Sequence, residues 1–368
     1  MVKALCAMLL FADGLCAQPD APQRLAARAL GNTPMLDDLR ELCDGIGGRP
    51  TGSPACDRAV EWAAKKFRDI GVDRLSVETF PVPTLWLPGA AEASAVTPEK
   101  FAVRIAAAPM SPSTKGTIEA RLIDAGEATP EAFAKVSSSV KDAIVLVHSR
   151  EMKTFDDLFA EYMRNAQLLE MARKYQPAVM LLESTRPRGL LYRHPISLDD
   201  KLAPMPAAVI SREHAERLAR LAERGDVRMR IAITNKTGGA YESKNIIGEI
   251  RGREKPDEVV LIGAHLDSWD LGTGAEDNGV NAAMVLDVAR GFKQLGITPR
   301  RTIRFALFTG EEQGMYGSEG YVSRHRSEMD HHVTAVIFDT GSGRVSGFYL
   351  NGREEMRNPV NQALSHLT

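Results

Sequence analysis

Continuous apolar runs alternate with amphipathic stretches in the last third of the chain. The runs EVVLIGAH (258–265), TIRFALF (302–308) and TAVIF (334–338) predict strands that are buried on both faces. The helix predicted between the first two runs has its apolar face at Val280, Met284, Val288, Phe292 and Leu295. Strands that alternate with helices indicate an α/β fold, with a mostly parallel central sheet flanked by helices.

Capping residues place further elements nearer the N-terminus. Residues 37–43 have the pattern of a short helix. Ser53 and Pro54 are typical of a helix start, and Gly71 is typical of a helix end, so a second helix is predicted between them. The stretch RLSVETF (74–80) then reads as a strand.

The middle of the chain differs in composition from both ends. Residues 81–239 are rich in Pro, Ala and Ser, and they end at the glycine pair 238–239. They contain strand patterns of their own at AIVLVHS and AVMLLES, and a helix pattern at SREHAERLARLAERG. We therefore predict an inserted domain here, with residues 18–80 and 240–368 forming one discontinuous domain around it.

Charge and hydropathy narrow the functional classes. The chain has 368 residues, and its 46 basic and 48 acidic side chains nearly cancel. Because no basic run or stripe is present, we expect no nucleic-acid partner and favour a small polar or peptidic one. No apolar run after the N-terminus approaches the roughly 20 residues of a membrane span.

The N-terminus predicts export. Lys3 precedes an apolar run and then a small-residue stretch that ends at Ala17, so residues 1–17 read as a signal peptide of a secreted or periplasmic protein. A cytosolic N-terminal tail is the alternative. Cys43 and Cys56 would remain in the exported chain, either as a disulfide or as two buried thiols.

Acidic residues crowd the ends of the predicted strands. His265 ends the first run, Glu311 and Glu312 follow the second, Asp339 follows the third, and Asp277 lies in the loop before the helix. The carboxyl ends of parallel strands meet at one edge of a sheet, so these side chains are expected to converge. One imidazole with several carboxylates and no cysteine favours zinc in a catalytic site. The number of carboxylates favours two metals that share a bridging one.

Three ordered motifs carry a family resemblance. HLDSWDLGTGAEDNG (265–279), FTGEEQGMYGS (308–318) and FDTGSG (338–343) resemble the co-catalytic zinc exopeptidase family. Together with GRPTGSPA (48–55), they are most similar to the branch of the plasma glutamate carboxypeptidases. The family includes aminopeptidases and dipeptidases that act on short peptides.

The resemblance implies a role for each site residue. His265 and Asp339 would hold one zinc ion, Glu312 would hold the other, and Asp277 would bridge the two. Asp267 would orient His265. Glu311 would be the general base that activates a metal-bridging water. The resemblance further implies a cis peptide bond after Asp277 and a protease-associated-like lid in the inserted domain.

One departure from the family pattern concerns the C-terminal end. The family's last zinc ligand is a histidine well beyond the position of Asp339, and His366 is too close to be that residue. We therefore expect that this sequence lacks its C-terminal part, holds one zinc ion more tightly than a second, and has little activity. His331 and His332 are interpreted as a solvated loop, because adjacent side chains diverge.

Two alternatives stay open at this point. One is a single-zinc acyltransferase that resembles glutaminyl cyclases, and the other is a non-catalytic binding module of the same fold. The stretch STRPRGLLYRH (184–194) offers Arg186, Arg188 and Arg193 to a substrate carboxylate, although a solvated loop is the preferred interpretation.

Overall fold

The structure is a computed structural model that describes residues 20–127, 129–197, 199–339, 341–343 and 347–365. The predicted signal peptide and His366 lie outside these residues. Within the described part of the chain, no helix is long and apolar enough to cross a membrane.

Helices and strands alternate along the described chain. The α-helices are α1 (Ala21–Ala29), α2 (Met35–Arg40), α3 (Pro54–Ile70), α4 (Pro130–Val140), α5 (Phe155–Tyr175), α6 (Arg212–Ala222), α7 (Val280–Gln294), α8 (Tyr316–Arg324) and α9 (Arg357–Leu364). The strands are β1 (Arg74–Val82), β2 (Leu85–Leu87), β3 (Ala91–Thr97), β4 (Phe101–Val103), β5 (Ile105–Ala107), β6 (Ile118–Asp124), β7 (Ile144–Val147), β8 (Val179–Glu183), β9 (Ala207–Ile210), β10 (Arg228–Ile233), β11 (Lys236–Gly238), β12 (Tyr241–Ile250), β13 (Lys255–His265), β14 (Arg301–Phe308) and β15 (His332–Ile337). Short π-helical turns occur at Glu41–Ile46 and Ala275–Gly279, and 3-10 turns at Arg326–His331 and Glu354–Met356.

One sheet contains all the strands whose ends were predicted to form the site. Its order is β1-β12-β14-β13-β15. Strand β13 runs parallel to both β14 and β15. On the other side of β14, β12 pairs antiparallel with β14, and β1 pairs antiparallel with β12. The predicted α/β class is confirmed, and the sheet is mixed, with its parallel part limited to these three strands. His265 is in register with Phe308, so β13 and β14 end at the same level.

Helices α3 and α7 cover one face of this sheet. The buried core there includes Phe67, Val285, Leu286 and Phe305. Gly248 lets the Phe67 ring approach the sheet, since a Cβ at Gly248 would lie 2.8 Å from that ring. The predicted caps of α3 are observed: the Ser53 hydroxyl accepts the Cys56 amide at 3.1 Å, and Gly71 ends the helix at φ 77°.

The predicted apolar face of α7 is wrong by part of a turn. The predicted residues from Val280 to Leu295 are only half-buried, and the buried stripe consists of Ala282, Ala283, Val285, Leu286 and Ala289. Small alanine side chains let this helix lie close to its neighbours, and they contribute little to a periodicity that is read from large residues.

The segment 81–239 contains a second sheet of eight strands, ordered β4-β3-β10-β6-β7-β8-β9-β5. The three elements predicted from its sequence correspond to β7, β8 and α6. Buried apolar clusters lie on both faces of this sheet. Strands β2 and β11, near the two ends of the segment, pair with each other.

Candidate metal centre

The predicted site residues meet at the carboxyl edge of the parallel strands. His265 is the last residue of β13, Glu311 and Glu312 follow β14, and Asp339 follows β15. Asp277 lies in the π-helical turn before α7, where its backbone departs from helical geometry. The peptide bond between Asp277 and Asn278 is cis, as the resemblance implied.

His265 is at the centre of the cluster. Its Nε2 lies 3.0 Å from Oδ1 of Asp277 and 3.0 Å from Oδ1 of Asp339. Glu311 Oε2 is 3.8 Å from the same nitrogen. Two sets of donor atoms, each within 4.8 Å of one another, share this histidine: His265 with Glu311 and Asp339, and His265 with Asp277 and Glu312.

Asp267 connects His265 to the turn that carries Glu311 and Glu312. Its backbone carbonyl lies 3.0 Å from Nδ1 of His265, and its carboxylate oxygen lies 3.5 Å from that nitrogen. The carboxylate also accepts the backbone amides of Glu311 and Glu312, each at 3.4 Å. Asp267 thus contacts both the histidine and the glutamate turn, and its side chain is fully buried.

The charges in the cluster are strongly unbalanced. Burial raises the pKa of Glu311 to about 7; His265 opposes this rise, and the Asp339 carboxylate adds to it. Burial, followed by repulsion from Asp277, raises the pKa of Glu312 well above its ordinary value. Burial disfavours protonation of His265, yet its aspartate neighbours hold its pKa well above the usual range. The excess of negative charge therefore favours the binding of protons or of another cation by these carboxylates.

The donor set fits a borderline divalent metal. Within the described residues, no lysine or arginine forms an ion pair with the five carboxylates of the cluster. Imidazole and carboxylate groups are suitable zinc ligands. Asp277 and Asp339 keep 57% and 35% of their side chains exposed, so the site is open to a substrate.

Arg49 and Thr51, from the motif at 48–55, support the site, although no role was predicted for these two residues. The Thr51 hydroxyl donates to Asp267 at 2.7 Å and accepts the Gly310 amide at 2.9 Å. The Arg49 guanidinium donates to the backbone of the loop that follows His265. The motif itself was the only signal in the sequence, because both partners lie more than 200 positions away.

Asn278 links the two loops that carry the aspartates. Its side-chain amide is buried and donates to the Phe338 carbonyl at 2.8 Å, beside Asp339. Asn281 donates to Asn278 at 2.6 Å and to Gly341 at 3.3 Å. These amides hold the Asp277 turn against the end of β15, a contact that sequence spacing does not reveal.

Several other sequence interpretations need correction. His331 is exposed, but His332 begins β15 and lies 2.8 Å from the Tyr321 hydroxyl, so it is not part of a solvated loop. Arg193 is likewise not solvated: it is buried and pairs with Asp270 in the loop after His265. Arg188 is exposed.

The remaining arginine and the two cysteines are also placed. Arg186 lies over the Tyr192 ring, 4.8 Å from its centroid, and donates to the Met152 carbonyl at 3.2 Å. Cys43 and Cys56 are buried free thiols, which resolves the alternative left open by their spacing.

Comparisons with known proteins agree with this geometry. The profile of peptidase family M28 matches residues 245–368. Carboxypeptidase Q of Bos taurus is 30% identical over 337 residues, which are 89% of this chain and 69% of that protein. This chain belongs to peptidase family M28.

Solved structures of relatives lead to the same family. The M28 peptidase precursor of Shewanella amazonensis has a TM-score of 0.79 and 28% identity, over 93% of this chain and 78% of its own. The zinc aminopeptidase of Bacillus subtilis shares the fold with a TM-score of 0.65 and 22% identity, over 83% of this chain and 68% of its own. The predicted resemblance to the co-catalytic zinc exopeptidases is confirmed. The M28 chain is a metallo-exopeptidase, with zinc as its metal.

Proposed function

We propose that this M28 peptidase hydrolyses short peptides from a chain end, as an aminopeptidase or dipeptidase. The observation that carries the proposal is the convergence of one imidazole and five carboxylates at an open sheet edge, where no lysine or arginine of the described residues forms an ion pair with them. A binding module would have no reason to gather carboxylates whose mutual repulsion costs stability.

The family resemblance suggests how the metals divide. His265, Asp339 and Asp277 would hold one zinc ion, and Glu312 would hold a second with Asp277 as the bridge. Among the described residues the first position therefore has three protein ligands and the second has two. We expect the first zinc ion to bind more tightly than the second.

Bound zinc would supply a Lewis acid that polarises the scissile carbonyl and makes water a better nucleophile at neutral pH. Glu311 would act as the general base: it removes a proton from the attacking water and delivers it to the leaving amine. In support of this role, Glu311 Oε2 lies 3.8 Å from Nε2 of His265, beside the proposed ligands, and burial raises the pKa of Glu311 to about 7.

The segment 81–239 would act as a lid that restricts substrate length. It contacts the site loop through the ion pair of the buried Arg193 with Asp270, and through the edge-to-face rings of Trp86 and Trp269, 6.0 Å apart. The Tyr316 hydroxyl, just after the glutamate turn, donates to Asp200 of this segment at 2.5 Å. In support of a nearby lid, burial and the carboxylates of Glu311 and Glu312 raise the pKa of Tyr162 to about 12.

We infer that the protein is exported, as the residues predicted to be a signal peptide suggest. Peptides outside the cytoplasm would then be its substrates. Two buried free thiols do not oppose export, because they are shielded from oxidants.

The test is a substrate panel with metal removal. The purified chain is depleted of metal with a chelator, reloaded with zinc, and assayed on dipeptides, aminoacyl anilides, N-blocked peptides and glutaminyl peptides. We expect zinc-dependent release of amino acids from free dipeptides or anilides, with little cleavage of N-blocked peptides.

Each alternative has its own outcome. Cyclisation of glutaminyl peptides without hydrolysis would replace the exopeptidase by an acyltransferase. Zinc binding with no turnover on any substrate would instead indicate the non-catalytic module.

A further inference from the structure

Arg49 is a buried cation that has no carboxylate partner among the described residues. Its side chain is fully buried. The guanidinium donates to four backbone carbonyls: Nε to Leu266, Nη1 to Gly47 at 3.1 Å and Thr273 at 2.9 Å, and Nη2 to Gly274 at 2.9 Å. A buried charge is costly unless its hydrogen bonds are satisfied, and these four carbonyls satisfy those of Arg49.

Three of the four acceptors of Arg49 lie at the two ends of one loop. Leu266 directly follows His265, while Gly274 lies three residues before Asp277. The planar fork of the guanidinium thus joins the beginning and the end of the loop. The backbone adds two contacts with Ser268, whose amide donates to the Arg49 carbonyl and whose hydroxyl accepts the Arg49 amide, each at 3.3 Å.

Two glycines show how closely this loop approaches Arg49. A Cβ at Gly274 would lie 2.7 Å from Nη1 of Arg49 and 2.3 Å from the Ser268 hydroxyl, and Gly274 has a positive φ of 63°. A Cβ at Gly48 would lie 2.5 Å from the backbone of Asp270. The segment at 48–49 and the loop therefore fit each other without spare volume.

We propose that Arg49 is a positioning residue for the metal centre, which fixes the separation of His265 and Asp277 by holding both ends of the intervening loop. The inference rests on the proposed zinc chemistry of that site. Arg49 contacts neither of the two ligands, so it acts through the backbone. It supplies donors that a lysine, with a single nitrogen, cannot distribute over four carbonyls.

The experiment compares two buried arginines. Arg49→Lys and Arg304→Lys both keep the charge and both disturb a buried network, but Arg304 pairs with Glu249 and Glu328 rather than with the metal loop. The zinc dissociation constant of each full-length chain is measured by competition with a chromophoric chelator, and the melting temperature of each metal-free chain is recorded. We expect Arg49→Lys to weaken zinc binding by about 10–100-fold, which is the usual effect of mutating a residue that positions a metal ligand. Arg304→Lys should lower the melting temperature and leave zinc affinity unchanged.

A second pair keeps the test decisive if Arg49→Lys does not fold. Gly274→Ala introduces a methyl, at a positive φ, against both the Ser268 hydroxyl and the guanidinium, whereas a Cβ at Gly272 in the same loop would meet nothing within 4 Å. Gly274→Ala should lose zinc affinity and Gly272→Ala should retain it. Equal zinc affinity within both pairs would overturn the role of Arg49. Failure of the unmodified chain to bind zinc would overturn the proposed metal centre itself.

Discussion

His148 and His265 both lie among carboxylates, and they differ in what surrounds them. His148, after β7 in the segment 81–239, contacts Glu183 through Nδ1 at 2.7 Å and Asp124 through Nε2 at 3.1 Å. His265 contacts Asp277 and Asp339 through one nitrogen, Nε2. The first imidazole separates its two carboxylates, whereas the second leaves them together on one side.

The two clusters also differ in the basic side chains near them, and those of the His148 cluster are arginines. Arg212 pairs with Glu183 at 2.6 Å, and Arg164 donates to the neighbouring Ser149 hydroxyl at 2.6 Å. Hydrogen bonds to Asp124 and Glu183 raise the pKa of His148 to about 10, so its positive charge is present throughout the physiological range. The carboxylates of the His148 cluster are therefore paired with positive side chains. The five carboxylates around His265 outnumber the imidazole and the nearby buried Arg49, which forms no ion pair with them, so this cluster favours an additional cation. A histidine among acids indicates a metal centre only where the charges do not balance.

The largest expected effect tests the catalytic role of the His265 cluster. Glu311→Gln should lower turnover on a dipeptide by about 10²–10⁴, because the positioned base is lost while the metal ligands remain. Turnover and bound zinc are measured on the same preparation. Glu276→Gln removes an equal charge from an exposed neighbour of Asp277 and serves as the control. Near-normal turnover of Glu311→Gln would remove Glu311 from the mechanism.

The next effect tests whether the unbalanced carboxylates hold metal. Asp277→Asn should weaken zinc binding by at least about 10–100-fold, because a neutral amide bridges two cations poorly. The dissociation constants are measured by titration of the metal-free chain, again with Glu276→Gln as control. Tight retention of two zinc ions by Asp277→Asn would refute the bridge.

The smallest expected effect concerns the His148 cluster, whose carboxylates are paired with positive side chains. His148→Gln should lower the free energy of unfolding by about 1.5–3 kcal/mol at pH 7, the range for hydrogen bonds to charged groups. Because the pKa of His148 is raised in the folded state, this contribution is fully present below the ordinary histidine pKa of about 6.5. It is lost as the pH rises through about 10.

Denaturant unfolding of wild type and variant at pH 7 and above pH 10 measures this difference. The exposed His331, changed to Gln, is the control and should show no difference at either pH. A gap between wild type and His148→Gln that widens with pH would contradict the assigned charge of His148.

Local patterns account for the parts of the fold and site that could be predicted. Apolar runs gave β13, β14 and β15, and the polar residues that follow them gave His265, Glu311, Glu312 and Asp339 in their observed places. Parallel strands bring their carboxyl ends together, so the convergence followed from topology alone. The ends of α3 followed from Ser53 and Gly71 for an equally local reason.

Long-range contacts account for the parts that could not be predicted. Arg49 and Thr51 bind groups more than 200 positions away, mainly through backbone carbonyls and amides that leave no trace in residue type. The direction of β12 is not encoded in its apolar residues, which is why the antiparallel side of the sheet was missed. The partners of Arg193 and His332 likewise lie on other elements.

Zinc titration of three metal-free chains tests the central claim most directly: the unmodified protein, His265→Gln and His148→Gln, followed by calorimetry and elemental analysis. If charge imbalance defines the metal centre, the unmodified chain and His148→Gln bind zinc with the same affinity, and His265→Gln loses it by at least about 10–100-fold. Equal zinc binding by His265→Gln, or an equal loss in His148→Gln, would contradict this account.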